Sequence, residues 1–329
     1  MKYTVLGAGA MGSTIASRLL ANGNEVCLWL TEKDEWLLPK LSSDPKHPLS
    51  GADLRGACLF APKEIDKATH GAEALVIACS SDGFLEVLEQ AEEHGPTHRV
   101  PAVVATKGFV EDDGTVRTLS ETILRPQNDR PIYDAFCLLG GPMIAGEIAA
   151  GKPAGGVAAS RSPAALQAAR GLVSPALSLS ESDDVRGIEL CGALKNVYAI
   201  LVGVAETQGA NLRSLAFARS LEEMAVIVAR SGGKLETVLG PAGAGDLYVT
   251  SISGRNGEFG RRVGSGEDPQ VALREMEAAG KTVEGVRAST LGKRYIVDEN
   301  GVDAPLLESV AKLCEGRLTS SEALAALTK

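Results

Sequence analysis

Short apolar runs alternate with amphipathic stretches through the first half of the chain. Residues 2–6 (KYTVL), 25–30 (EVCLWL), 75–79 (LVIAC), 102–106 (AVVAT) and 133–139 (YDAFCLL) are each bounded by Gly, Pro, Asn or charged residues. Runs so short and so nearly free of polar positions are the signature of strands buried on both faces of a parallel sheet. Helical patterns lie between several of them. Residues 14–21 end at Asn22-Gly23, a helix stop, and Phe84, Leu85, Val87, Leu88 and Ala91 share one helix face ahead of Gly95-Pro96. Residues 156–160 and 176–180 are two further strand candidates. This alternation predicts an α/β fold with a doubly wound Rossmann sheet. The polar stretch 178–184 (SLSESDD) is where the pattern changes, so the sequence is divided there into residues 1–183 and 184–329. Beyond it, residues 188–206, 212–231, 269–279, 288–298, 305–316 and 320–327 read as helices, with no strong strand signal. An all-helical C-terminal domain is expected.

Composition narrows the function classes. The 329 residues are 44% hydrophobic but only 4% aromatic, enough for a core that must be packed mainly with Ala, Val, Leu and Ile. Lys plus Arg is 33 against 42 Asp plus Glu, a net charge of −9. A chain this acidic has no general attraction to nucleic acid or to an anionic membrane, and must bind phosphate with a local basic pocket. Cys27, Cys58, Cys79, Cys137, Cys191 and Cys314 are scattered without a CxxC pair. They read as buried, reduced thiols, and no metal site is expected. The apolar runs look shorter than the ~18–20 residues that span a bilayer, and Lys2 precedes a strand rather than a leader, so a cytoplasmic location is expected.

The sequence VLGAGAMG at residues 5–12 places Gly7, Gly9 and Gly12 in G-x-G-x-x-G spacing, directly after a strand and at the opening of a helix. Gly7 permits the tight turn, Gly9 lets main chain approach a pyrophosphate, and Gly12 lets helix and strand pack closely. The choice between NAD and NADP stays open. Glu32 lies about 20 residues beyond Gly12, where an acid can hold the ribose 2′-hydroxyl, but Lys33 beside it could meet a 2′-phosphate.

Hydride transfer to a carbonyl needs a proton donor. His47, His70, His94 and His98 all lie in polar, loop-like contexts of the first third and read as surface histidines. Lys195 is the better candidate, since it interrupts the apolar helical run CGALKNVYAILVGVA with no acid three or four residues away. Lost hydration would favour its neutral form; a side chain that snorkels to solvent is the competing reading. Lys107 follows a strand end, where open α/β sheets bind ligands, and reads either as a ligand contact or as a loop lysine. In GAGDLYVTSISGRNGEFGRR, Asp246 precedes a strand-like run, and Arg255-Asn256 sits between glycines as a phosphate fork or a solvated turn.

Together these motifs resemble the NAD(P)-dependent glycerol-3-phosphate dehydrogenases of the bacterial and archaeal type. The resemblance runs in order through GAGAMG (7–12), ATKG (105–108), GPMIAGEIAAGKP (141–153), GALKNVYAI (192–200), GAGDL (243–247), GRNGEFG (254–260) and VEG (283–285). It implies reversible hydride transfer between NAD(P)H and dihydroxyacetone phosphate, giving sn-glycerol 3-phosphate for phospholipid synthesis, with the active site between the two domains. It also implies that Lys195 transfers the proton and that Lys107, Gly141, Asp246, Arg255 and Asn256 contact substrate. Gly7, Ala8, Gly9, Ala10, Met11, Gly12, Lys107, Ala145, Arg255 and Glu284 fall on cofactor positions. Met143 and Gly254 stand where the family commonly has hydroxyl residues, and Ala154 where it usually has Thr. Two alternatives therefore stay open. One is a related dehydrogenase for another 2-keto or hydroxy acid or sugar phosphate; the other is a non-catalytic dinucleotide sensor. A homodimer is compatible with the sequence, which does not fix it.

Overall fold

The computed structural model describes residues 1–96, 99–124 and 133–328. Two compact units divide the chain: Met1–Lys107 with Ser120–Val185, and Gly108–Leu119 with Arg186–Lys329. The first unit is built on an eight-stranded sheet of β1 (Lys2–Leu6), β2 (Glu25–Trp29), β3 (Cys58–Phe60), β4 (Ala74–Ile77), β5 (Val100–Val104), β8 (Tyr133–Gly140), β9 (Ala154–Ala159) and β10 (Leu177–Ser182). Two short strands of the second unit, β6 (Val110–Asp112) and β7 (Thr115–Arg117), intervene in sequence.

The strand order is β10-β9-β8-β5-β4-β1-β2-β3, with every neighbouring pair parallel except β8 and β9. From β1 the chain winds outward through β2 to β3, then returns to the other side of β1 for β4 and β5. That reversal makes the carboxyl ends of β1 and β4 the switch point at which doubly wound sheets bind ligands. β1 shows why its residues are so apolar: Val5 and Leu6 have no exposed surface, flanked by Leu28 and Trp29 on one side and by Val76 and Ile77 on the other. The turn after β1 leads into helix α1 (Ala10–Ala21), and helix α2 (Phe84–His94) follows β4, burying Phe84, Val87, Leu88 and Ala91.

Several expectations need correction here. The polar stretch from residue 178 carries β10, the strand expected at 176–180 and continued to Ser182; it lies beside β9 and buries Leu177 while exposing most of its remaining positions. Its polarity comes from its place at the sheet edge. The edge strand β3 is only three residues long, and its Cys58 is exposed, unlike the buried Cys27, Cys137, Cys191 and Cys314. Cys79 is partly buried.

The second unit is helical apart from the β6–β7 hairpin. That hairpin turns at Asp113 and Gly114, both with positive φ (47° and 77°), the backbone a two-residue type I′ turn demands. Helix α3 (Val185–Glu206) runs through the unit, with most of its residues buried. By length and hydropathy alone it could cross a membrane, contrary to the expectation that no apolar stretch is long enough; 94% of its most apolar window is buried inside the protein. Around it lie α4 (Ala210–Arg230), α5 (Asp246–Ser253), α6 (Arg255–Gly264), α7 (Glu284–Lys293) and α8 (Pro305–Cys314). Glu223 of α4 ties three elements together: it accepts from Tyr198 Oη of α3 at 2.9 Å and from the Leu306 and Leu307 amides that open α8, at 2.8 and 2.9 Å. Burial pushes its carboxyl above the ordinary range, against the pull of those three donors.

Candidate active site

In the first unit the glycine turn has the backbone its spacing predicts. Gly7 has φ +104°, and a Cβ on Gly12 would lie 2.1 Å from Gly7 O, so this crossing of strand and helix admits no side chain. A Cβ on Gly9 would meet nothing within 4 Å. Gly9 is also the N-cap of α1, with no side chain to satisfy the leading N–H groups of Ala10 and Met11. Open space over exposed amides at the positive end of a helix fits a dinucleotide pyrophosphate.

Ala8, inside this turn, is held from two directions. Its amide donates to Asp34 Oδ2 at 3.0 Å, and its carbonyl accepts from Ser13 Oγ at 2.9 Å. His47 Nε2 lies 3.0 Å from the same carbonyl. The Leu49 and Ser50 amides both donate to His47 Nδ1, so the hydrogen sits on Nε2 and donates to Ala8 O. His47 is thus a buried buttress of the turn, not the surface histidine its polar sequence context predicted. Burial lowers its pKa, outweighing the opposite effects of the Ala8 carbonyl and the Asp34 charge. His70 and His94 are exposed, as expected; His98 lies outside the described residues.

Along the same edge of the sheet, Lys107 follows β5 and its Nζ donates to Gly141 O at 3.3 Å, joining the ends of β5 and β8. Gly141 has φ +107°, and a Cβ there would lie 2.9 Å from Gly156 Cα. Ala145 opens a short helix, and its carbonyl accepts from Thr14 Oγ1 of α1 at 3.2 Å. Met11 and Met143 both pack against the apolar core of the unit. Met143 therefore fills space with its thioether where a hydroxyl was the family expectation. Ala154 is the first residue of β9.

In the second unit Lys195 stands midway along α3, its side chain 12% exposed. Nζ donates to Asp246 Oδ1 and to Thr250 Oγ1, each at 3.0 Å, and both partners come from α5. The run around Asp246 is therefore helical and not a strand, preceded by the glycine-rich turn Pro241–Gly245. No acid lies three or four residues from Lys195 on its own helix, as read from the sequence, but a carboxylate from another helix supplies the counter-charge. That carboxylate gives the ammonium a charged acceptor inside the unit.

Next to Lys195, Asn196 links the remaining candidates. Asn256 Nδ2 donates to Asn196 Oδ1 at 2.8 Å, Asn196 Nδ2 donates to Glu284 Oε2 at 3.2 Å, and the Gly285 amide donates to Asn256 Oδ1 at 2.9 Å. Arg255 Nη2 lies 4.0 Å from Glu284 Oε1, both side chains substantially exposed. Arg255 and Asn256 open α6 and are no solvated turn; Asn256 is buried. Close helix contacts set these positions. A Cβ on Gly260 of α6 would lie 2.2 Å from Ile200 O, and one on Gly285 of α7 would lie 2.4 Å from Asn196 O. Gly254 is fixed in the same way, with a Cβ placed 2.3 Å from Thr250 O, which accounts for the missing serine.

The sequence reading brought Lys195 and Asp246 forward separately, and the structure joins them. It missed Thr250, Asn196, Asp34 and His47. Asn196 had a signal, as a second polar residue beside Lys195 in an apolar helix. His47 had none, because the group it buttresses, the Ala8 carbonyl, lies 39 residues away in sequence.

Comparison with known proteins gives one family. Residues 2–166 match the family model for the NAD-dependent glycerol-3-phosphate dehydrogenase N-terminus, and residues 184–325 match that for its C-terminus. The NADP(+)-dependent glycerol-3-phosphate dehydrogenase of Archaeoglobus fulgidus is 31% identical, covering 98% of this chain and 98% of its own. The glycerol-3-phosphate dehydrogenase [NAD(P)+] of Anaeromyxobacter sp. (strain K) is 32% identical, over 99% of this chain and 97% of its own. The crystal structure of glycerol-3-phosphate dehydrogenase from Coxiella burnetii superposes with a TM-score of 0.85 at 26% identity, covering 100% of this chain and 98% of that one.

Proposed function

The chain belongs to the NAD-dependent glycerol-3-phosphate dehydrogenase family, and on that premise we propose that it interconverts dihydroxyacetone phosphate and sn-glycerol 3-phosphate with NAD(P)H. The observation that carries this reading is the enclosed Lys195 ammonium, held by Asp246 and Thr250 in a mostly apolar helix. In the reductive direction the nicotinamide, when bound, supplies the hydride to the ketone carbon. Lys195 Nζ gives a proton to the ketone oxygen as the C=O π pair moves onto it, leaving a neutral amine that takes a proton back from solvent. Asp246 pairs with the Lys195 ammonium, and with Thr250 fixes the direction of Nζ.

Substrate contacts are assigned to the Arg255 guanidinium and Asn256 in the second unit and, separately, to Lys107 in the first. One hydrogen of Asn256 Nδ2 is committed to Asn196, which leaves the other for an oxygen of the ligand. Gly141 is assigned to substrate as well. The cofactor is assigned to the main chain of residues 7–12, with Lys107, Ala145, Arg255 and Glu284. Nucleotide binding is assigned to residues 1–183 and substrate binding to residues 184–329.

The test is Lys195→Ala, followed by NADH oxidation with dihydroxyacetone phosphate and by NADH titration. Turnover should fall by about 10²–10⁴-fold, with NADH affinity nearly unchanged. Undiminished turnover in that variant would remove Lys195 from the reaction.

A further inference from the structure

The two curated relatives described above carry different coenzyme names, NADP(+) and NAD(P)+, so family membership does not fix the choice for this chain. We propose that Asp34 makes this protein selective for NAD(H) over NADP(H), an inference that rests on the coenzyme reading above. In dinucleotide-binding sheets the group near the carboxyl end of the second strand meets the adenosine ribose. An acid there, about 20 residues after the glycines, accepts from the 2′-hydroxyl. Asp34 lies 22 residues beyond Gly12. Glu32, the acid favoured by spacing alone, is exposed and opens the short helix Glu32–Leu37. Asp34 instead turns back to the glycine turn.

Three observations support the assignment. The turn and the end of β2 are adjacent, since the Gly7 amide donates to Trp29 O at 3.0 Å. Asp34 Oδ2 is fixed by the Ala8 amide at 3.0 Å and by Thr31 Oγ1 at 2.8 Å. Both bonds fall on one oxygen, so the second carboxylate oxygen keeps its acceptor capacity for a ribose hydroxyl. The surroundings are also wrong for another phosphate. Residues 25–37 contain no arginine, and the segment after β2 carries Glu32, Asp34 and Glu35 against the single base Lys33. Lys33 is paired with Asp82 at 2.5 Å, which adds a fourth carboxylate to the neighbourhood. A 2′-phosphate would meet a fixed carboxylate, with no arginine in residues 25–37 to neutralise it, and like charges at that range are strongly discriminating.

The experiment is a fluorescence titration of the full-length protein with NADH and with NADPH, in the absence of substrate. Wild type should bind NADH at least about 100-fold more tightly than NADPH. Asp34→Asn keeps an acceptor for the Ala8 amide while removing the charge. It should shrink that ratio by about tenfold or more, mainly by tightening NADPH. Asp82→Asn, which releases Lys33, should shift the ratio less than Asp34→Asn does. Equal affinity of wild type for the two coenzymes, or preference for NADPH, overturns the proposal while leaving the coenzyme reading intact. A ratio unchanged in Asp34→Asn removes Asp34 from the selectivity. Failure of either coenzyme to bind wild type overturns the coenzyme reading and this inference with it, a pattern distinct from equal binding. Because the wild-type comparison stands alone, the proposal stays testable even if a variant does not fold.

Discussion

The first unit presents main-chain amides at its candidate site, and the second presents side chains. In the glycine turn, specificity for a phosphate comes from where the backbone goes, and three glycines set that path. In the helical unit the backbone is ordinary helix, and Lys195, Asp246 and Thr250 meet only because two helices from distant parts of the sequence are packed side by side. A site made of backbone is written locally in the sequence. A site made of side chains on separate helices is written in the packing that brings them together.

Four changes probe this contrast. Gly12→Ala attacks the backbone site directly. With its Cβ placed 2.1 Å from Gly7 O, the turn must shift, and NADH affinity should fall by about 100-fold or more, measured by titration. A wild-type affinity would show that the crossing is looser than it looks. Gly260→Ala attacks the packing on which the side-chain site depends. It should cost about 1–3 kcal/mol in urea unfolding and lower turnover with little change in NADH binding.

The third change concerns the buttress under the turn. Burial holds the folded-state pKa of His47 below its ordinary 6.5, so the unfolded chain binds the proton first as acidity rises. The stability His47 contributes is therefore complete above 6.5 and declines as pH falls from there toward the folded-state value. Urea melts at about pH 7.5 and about pH 5.5 should show a smaller loss in His47→Phe than in wild type. Equal losses in both proteins would mean that His47 titrates freely. The smallest effect belongs to the exposed Arg255–Glu284 pair. Glu284→Gln should change stability by less than about 1 kcal/mol, because solvent screens such pairs, so any larger loss of coenzyme affinity would report a direct role.

This division also explains what could be read from the sequence. The strands of the central sheet and the glycine turn were legible because burial on both faces and the G-x-G-x-x-G spacing are local signals. The hairpin at Asp113-Gly114 was legible in principle, since Asp-Gly is a strong turn signal, but its flanking strands are only three residues long. β10 was legible as a strand at 176–180, but its continuation to Ser182 was not, because its polar residues reflect an edge position, which depends on the rest of the sheet. The segment after Asp246 is rich in β-branched residues, and tertiary packing overrides that preference to make it a helix. Lys195 stood out as a charge in an apolar run, but its partner could not be found by spacing, because Asp246 lies 51 residues away.

The closeness of α6 and α7 to α3 has a consequence for how the protein fails on heating. Where backbone meets backbone without intervening side chains, there is little slack for one helix to breathe apart from the others. The amides around Asn196 and Ile200 should then be among the slowest in the chain to exchange with deuterated water. Loss of the Lys195 seat and loss of the helical core become one event, so thermal inactivation should track melting of this unit and not precede it.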